Sequence, residues 1–223
     1  MIKSILFDLD GTFCDTANDL IETANQVYTK NNKSIISYEV GREIASDGIN
    51  AFLNLRFDNN KDDFISLSKE FLSIYNDTFL NNASLFNGIS YLLQNLDKKD
   101  VSWGIVTNKA RYFSEKILIH NNLIDKCSVL MCGDDIGFKP KPSPDLLIEA
   151  CRVLDLNVKD VIYVGDGHRD ILAAKSSKIK SVLACYGYLK KTDLIKDWKP
   201  DYIINNPIEI LELDFFSLDN SLS

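Results

Sequence analysis

A chain of 223 residues, 45% hydrophobic and 26% charged, has the make-up of a soluble globular protein with room for one full core and a smaller second lobe. Its net charge of −7 speaks against nucleic acid as a partner, because that binding needs a basic face, and no apolar run reaches the roughly 20 residues of a membrane-spanning helix. The first residues carry one lysine and a short apolar run that ends in aspartates, unlike a secretory leader. The expectation is a cytoplasmic protein without membrane contact, monomeric or weakly dimeric.

In chain order, "SILF" reads as a strand covered on both faces, since its apolar residues run without alternation. Thr16 and Asp19 have the spacing of a capping box, and Leu20, Ile21, Ala24, Val27 and Tyr28 form a helical stripe behind them. Two short helices are expected between 38 and 57, split near Gly48, and a longer one from Asp62, marked by Phe64, Leu67, Phe71 and Tyr75. The segment "NNASLFNG" reads as a linker. Beyond it, helix and strand alternate: a helix on Ile89, Leu92, Leu93 and Leu96, the strand "VSWGIVT", a helix near 110–120, and the strand "SVLMC". A helix on Leu146, Leu147, Ala150, Cys151 and Leu154, the strand "DVIYVGD", a helix over "ILAAKSS", and the strands "KSVLAC" and "DYII" complete the series. The tail after Leu211 reads as a partly ordered end.

Such alternation predicts an α/β protein: a Rossmann-like parallel sheet flanked by helices, with an all-helical block inserted after the first strand. The expected division is 1–14 plus 83–223 for the core and 15–82 for the inserted cap. Five scattered cysteines (Cys14, Cys127, Cys132, Cys151, Cys185), with no C-x-x-C pair, read as reduced structural thiols.

Four strand ends carry polar clusters: "DLDGT", "VTNK", "GFKPKPSPD" and "GDGHRD". In a parallel sheet these collect at one edge. Asp8, Asp10, Asp166 and Asp170 would crowd a cleft with negative charge, and all-oxygen ligands of this kind select a hard cation such as Mg2+. A metal and a lysine beside two aspartates suit phosphoryl transfer, one carboxylate attacking phosphorus and the other handling protons. Thr107 and Asn108, with the backbone of the Gly11 turn, can donate to phosphate oxygens. His168, between two aspartates, reads as an exposed helix start, and His120 as a helix end.

In their order, "DLDGTFCDT", "VTNK", "KPSPD" and "GDGHRD" resemble the four motifs of the haloacid dehalogenase superfamily, specifically its phosphatases. Across the chain, "WGIVTNK", "YVGDGHRDILAAKSS", "CYGYL" and "WKPDYIINNPIEIL" resemble the bacterial phosphoglycolate phosphatase branch and a subgroup that hydrolyses N-acetylmuramic acid 6-phosphate. The resemblance implies that Asp8 is the nucleophile, Asp10 the general acid and base, and Lys141, rather than Lys139, the charge-neutralising lysine. It further implies that Thr107, Asn108 and Gly11 hold phosphate, and that Asp8, Asp10 (through its carbonyl), Asp166 and Asp170 serve Mg2+. The substrate is then a small phosphorylated metabolite, phosphoglycolate first and N-acetylmuramic acid 6-phosphate as the alternative. A sugar-phosphate mutase or an inactive binding protein on the same fold are the remoter readings. In the cap, Arg42, Ser46 and Asn50 are the polar residues expected to face the cleft, and Arg42 is the candidate partner for a carboxylate.

Overall fold

Four consecutive apolar positions with no polar face can only be satisfied between two layers. In the computed structural model, which describes residues 1–193 and 195–217, they form β1 (Ser4–Phe7), buried throughout. Ile5 and Phe7 point into one core and Leu6 into the other. Strand β1 lies inside a six-stranded parallel sheet of order β5-β4-β1-β6-β7-β8. The other strands are β4 (Ser102–Val106), β5 (Leu130–Met131), β6 (Val161–Gly165), β7 (Lys180–Ala184) and β8 (Tyr202–Ile204). From β1 the chain builds outward through β4 and β5, then returns to the other side of β1 for β6 to β8. That reversal opens a crevice at the carboxyl ends of β1, β4 and β6, where open parallel sheets place their ligands.

Helices cover both faces. Helix α5 (Ile89–Lys98) buries Ile89, Leu92 and Leu96, and α6 (Arg111–His120) buries Ile117 and Leu118, in the core that holds Phe7. Helices α7 (Asp145–Val153) and α8 (His168–Ser177) bury Leu146, Leu147, Ala150, Ala173 and Ala174 against Leu6, Val106 and Tyr163. The chain continues through α9 (Ile195–Trp198) and a 3-10 segment (Pro207–Glu212) to α10 (Asp214–Ser217). The tail after Leu211, expected to be partly ordered, is helical in α10, and 218–223 lie outside the described residues.

Between β2 (Cys14–Asp15) and β3 (Ser84–Leu85) sit α1 (Ala17–Lys30), α2 (Tyr38–Ile44), α3 (Ile49–Asn54) and α4 (Phe64–Thr78). Strands β2 and β3 pair antiparallel, Cys14 with Leu85 and Asp15 with Ser84. The segment "NNASLFNG", expected as a linker, thus carries β3, whose two residues are too few to show a period. The helical block has its own aromatic centre: Phe71 packs at a tilt against Phe52 and Tyr75, and the Tyr28 hydroxyl donates to the Phe52 carbonyl at 2.5 Å.

The expected capping box at Thr16 does not form. Thr16 Oγ1 donates instead to Asp10 Oδ1 at 2.5 Å, and the Asp19 carboxylate accepts from Asn82, at 3.0 Å from its N–H and 2.8 Å from its amide. The orphan amides of α1 are met from elsewhere, for the Tyr188 hydroxyl accepts from the N–H of Thr16 (2.7 Å) and of Ala17 (3.0 Å). The five cysteines are free, and burial pushes the Cys14 thiol well above its ordinary pKa. Among the described residues no helix is long and apolar enough to cross a membrane.

Candidate active site

Strand β1 delivers Asp8 to the crevice, and the chain then turns at once. The N–H groups of Phe13 and Cys14 both reach back to the Leu9 carbonyl, at 3.0 and 2.8 Å. The turn needs Gly11: its φ is +84°, and a Cβ there would lie 2.2 Å from Asp166 Oδ2. Asp166 follows the end of β6, and the first turn of α8 brings Asp170 back beneath it, fixed by the Gly167 N–H at 2.9 Å. Carboxylate oxygens of Asp8, Asp166 and Asp170 consequently lie within 4.8 Å of one another, all three residues buried.

Lys141 enters this cluster from the loop before α7. Its buried ammonium lies 2.9 Å from Asp8 Oδ1 and 2.7 Å from Asp170 Oδ1, and also donates to the Tyr163 hydroxyl at 2.6 Å. Asn108 holds the loop in place, for its amide exchanges two 2.8 Å hydrogen bonds with the backbone of Lys141. Asn108 thus borders the cavity with its side chain already committed. Lys139, the neighbouring lysine, is exposed.

Burial raises all three carboxyls, and their neighbours divide them. It pushes Asp8 above the usual carboxylate range even against the pull of Lys141. Burial, with Asp170 and Asp8 nearby, pushes Asp166 up to about 7. For Asp170 burial acts in the same sense, but Lys141, Arg169 and the Gly167 N–H together outweigh it and hold the carboxyl low.

The Asp10 side chain stands apart from this cluster. Its two oxygens each lie 3.1 Å from Lys109 Nζ. Its carbonyl turns the other way, with Ser46 Oγ from the helical block 3.3 Å from it and 3.0 Å from Asp166 Oδ2. The donor set converging there is all hard oxygen: carboxylates of Asp8 and Asp166, a main-chain carbonyl and a hydroxyl. That set fits a divalent cation of the magnesium kind and does not fit zinc or a soft metal.

Above the cluster lies a cavity of about 500 Å³ between sheet edge and helical block. Asp8, Asp10 and Thr107 line its floor, while Ser46, Asn50 and Leu72 line its roof. The sequence pattern of the haloacid dehalogenase-like hydrolases matches residues 5–184, which takes in all four strand-end clusters. The chain belongs to that family. The N-acetylmuramic acid 6-phosphate phosphatase of Pseudomonas putida is 32% identical to it, with 94% of each chain covered. The phosphoglycolate phosphatase of Xanthomonas campestris is 35% identical over 94% of this chain and 95% of that one. A crystal structure titled as a predicted phosphoglycolate phosphatase from Haemophilus somnus shares the fold, with a TM-score of 0.83 at 24% identity over 95% of this chain and 97% of the other.

One expected contact falls differently. Arg42 does not line the cavity: its Nη2 donates to the Tyr186 carbonyl at 2.9 Å and its guanidinium lies over the Tyr188 ring. Helix α2 turns that face toward the loop after β7, a rotation that helical period alone does not encode. The guanidinium at the cavity belongs to Arg169, which donates to the Ser46 carbonyl and lies 3.6 Å from Asp47. Lys109 is the second missed cation. Both sit next to motif residues already singled out, Arg169 before Asp170 and Lys109 after Asn108. Their adjacency was the available signal.

Proposed function

We propose that this haloacid dehalogenase-like hydrolase is a phosphatase that cleaves a small phosphomonoester through an aspartyl-phosphate on Asp8. The observation that carries the reading is the division of labour between Asp8 and Asp10. Asp8 sits buried at a strand end with Lys141 on one oxygen, whereas Asp10, two residues on, belongs to a separate cationic network at the cavity wall. Mg2+ held by Asp8, Asp166 and the Asp10 carbonyl would supply positive charge for the phosphate oxygens.

The chain's own groups perform the rest. Asp8 Oδ1 accepts from the Leu9 N–H at 2.7 Å and faces Lys141, which leaves Oδ2 to attack phosphorus. The new carboxyl–phosphorus bond forms as the ester oxygen departs, and the Asp10 carboxyl gives that oxygen its proton. Asp10 then takes a proton from water, whose oxygen attacks the acyl phosphate to release inorganic phosphate and restore Asp8. Lys141 balances charge at the nucleophile, Asp170 holds Lys141, and the Thr107 hydroxyl with the Gly11 turn meets the phosphate oxygens. The helical block roofs the reaction and excludes water from it.

Phosphoglycolate is the first substrate reading, and the Arg169 guanidinium at the cavity suits a second anionic group. The cavity volume, larger than a two-carbon acid fills, favours N-acetylmuramic acid 6-phosphate as the second. Specificity constants across phosphoglycolate, N-acetylmuramic acid 6-phosphate, pyrophosphate and sugar phosphates decide between them. Asp8→Asn lowers kcat by about a thousandfold or more on every ester tested, and a chelator abolishes turnover reversibly. Full activity in either condition overturns the reading.

A further inference from the structure

The lysine at Lys109 has no role in the chemistry above, yet it is among the most enclosed charges in the molecule, its side chain 7% exposed. An ammonium has three donors. Here three acceptors surround it: Asp10 Oδ1 and Oδ2 at 3.1 Å each and the Tyr75 hydroxyl at 2.7 Å. Its charge also lies 4.9 Å from the Tyr75 ring centroid. Although Lys109 borders the cavity, it has no donor left for a substrate. Its contacts bear on the carboxyl of Asp10 and on helix α4.

Asp10 has few other restraints. It follows the strand on a turn, its side chain is 18% exposed, and the remaining donor to its carboxylate is Thr16 Oγ1. A carboxyl that must meet a leaving oxygen has to be aimed, since proton transfer needs hydrogen-bond geometry. Tyr75, which holds the far side of the ammonium, belongs to the helical block and is packed by Phe71, Phe79 and Phe113. Asp10 and Lys109 belong to the sheet edge. The ammonium therefore joins two bodies at the atoms that aim the acid.

We propose that Lys109 is the positioning residue of Asp10, and that Tyr75 makes this positioning conditional on the helical block being seated over the cavity. The proposal rests on the phosphatase reading and on Asp10 as the proton donor. With the block displaced, Lys109 loses Tyr75 and Asp10 loses a fixed direction, so leaving-group protonation is confined to the closed, water-poor state.

Leaving groups separate this role from a merely structural ion pair. An aliphatic alkoxide leaves only if protonated, whereas p-nitrophenolate leaves without help, so at the leaving-group step only the former depends on Asp10 being aimed, while the later water step is common to both. Single-turnover rates of alcohol and of p-nitrophenol release, which precede the water step, are measured on the aliphatic phosphate ester that the native chain turns over best and on p-nitrophenyl phosphate. Lys109→Met is expected to lose about a hundredfold on the aliphatic ester, with the loss on p-nitrophenyl phosphate at least about tenfold smaller. Lys109→Arg recovers part of that selective loss. Tyr75→Phe, which keeps the ring and its packing, shifts the ratio of the two rates the same way by about 3–10-fold. Equal losses on both esters, or a Tyr75→Phe change confined to KM, overturn the proposal. Tyr75→Phe decides alone if Lys109→Met does not fold. A native chain that hydrolyses neither ester instead overturns the phosphatase reading itself, so the two failures are distinguishable.

Discussion

At the scale of single residues, the centre of the site is one ammonium shared by two buried acids. Lys141 has no exposed side-chain surface and stands between Asp8 and Asp170, whose own side chains are 4% and 0% exposed. Removing one partner of such a group costs more than the pair contributes, because it strands charge in a low-dielectric interior. Lys141→Met is therefore expected to destabilise the metal-free chain by about 3–5 kcal/mol in urea unfolding. Adding Asp170→Asn should return part of that loss, since one stranded carboxylate is then neutral. An unchanged urea midpoint in Lys141→Met would show that Asp8 and Asp170 do not depend on the ammonium for stability. This part of the site was legible in the sequence: Asp8, Lys141, Asp166 and Asp170 come together as their motifs implied. Asp10 was legible as a candidate, but its partner Lys109 was not. Nothing in "VTNK" tells which carboxylate the lysine will find.

Among the elements, the loop after β7 links the acidic cluster to the entry of the helical block. The Tyr188 N–H donates to Asp166 Oδ2 at 2.7 Å. Its hydroxyl donates to Asp15 Oδ1 at 2.7 Å and accepts from the first amides of α1. One residue thus fixes both an acidic ligand candidate and the point where the chain leaves the sheet. Tyr188→Phe keeps the ring but removes the hydroxyl, so the Thr16 N–H loses its partner and the Ala17 N–H keeps only Asp15 Oδ1 at 3.2 Å. Their amide hydrogen exchange should accelerate by roughly tenfold, the equivalent of one typical hydrogen bond. Unchanged exchange at both positions would show that those amides are protected from elsewhere. The segment "CYGYL" carried a resemblance in the sequence but no mechanism, because the hydroxyl and its partner amides are 171 and 172 residues apart. Elements with four or more apolar positions in period, such as β1, α1, α4 and α7, were readable. Strands β2 and β3 offered two residues each, and the Thr16–Asp19 spacing misled because Thr16 serves Asp10 and Asp19 serves Asn82 instead of each other's amides.

For the whole molecule, the order of the sheet explains why a chain of net charge −7 can receive an anion. Parallel strands send every carboxyl end to one edge, so Lys109, Lys141 and Arg169 gather at that edge although the chain as a whole is acidic. That much follows from the alternation of elements; the rotation of the helical block, which exchanged Arg42 for Arg169, does not. The same edge makes stability depend on pH and metal together. Asp166 titrates near 7 in the folded, metal-free chain against an ordinary value of 3.8, so the folded state binds the proton more tightly. Its contribution to stability is full below the ordinary value and is lost as pH rises through about 7. A divalent cation takes the place of that proton and removes the loss. Saturating Mg2+ should therefore raise Tm by about 3–6 °C more at about pH 8 than at about pH 5. In Asp166→Asn the increment should shrink, and its pH dependence should fall to what the raised Asp8 carboxyl still gives. Equal Mg2+ increments at both pH values in the native chain would mean that the cation is held by groups other than Asp166.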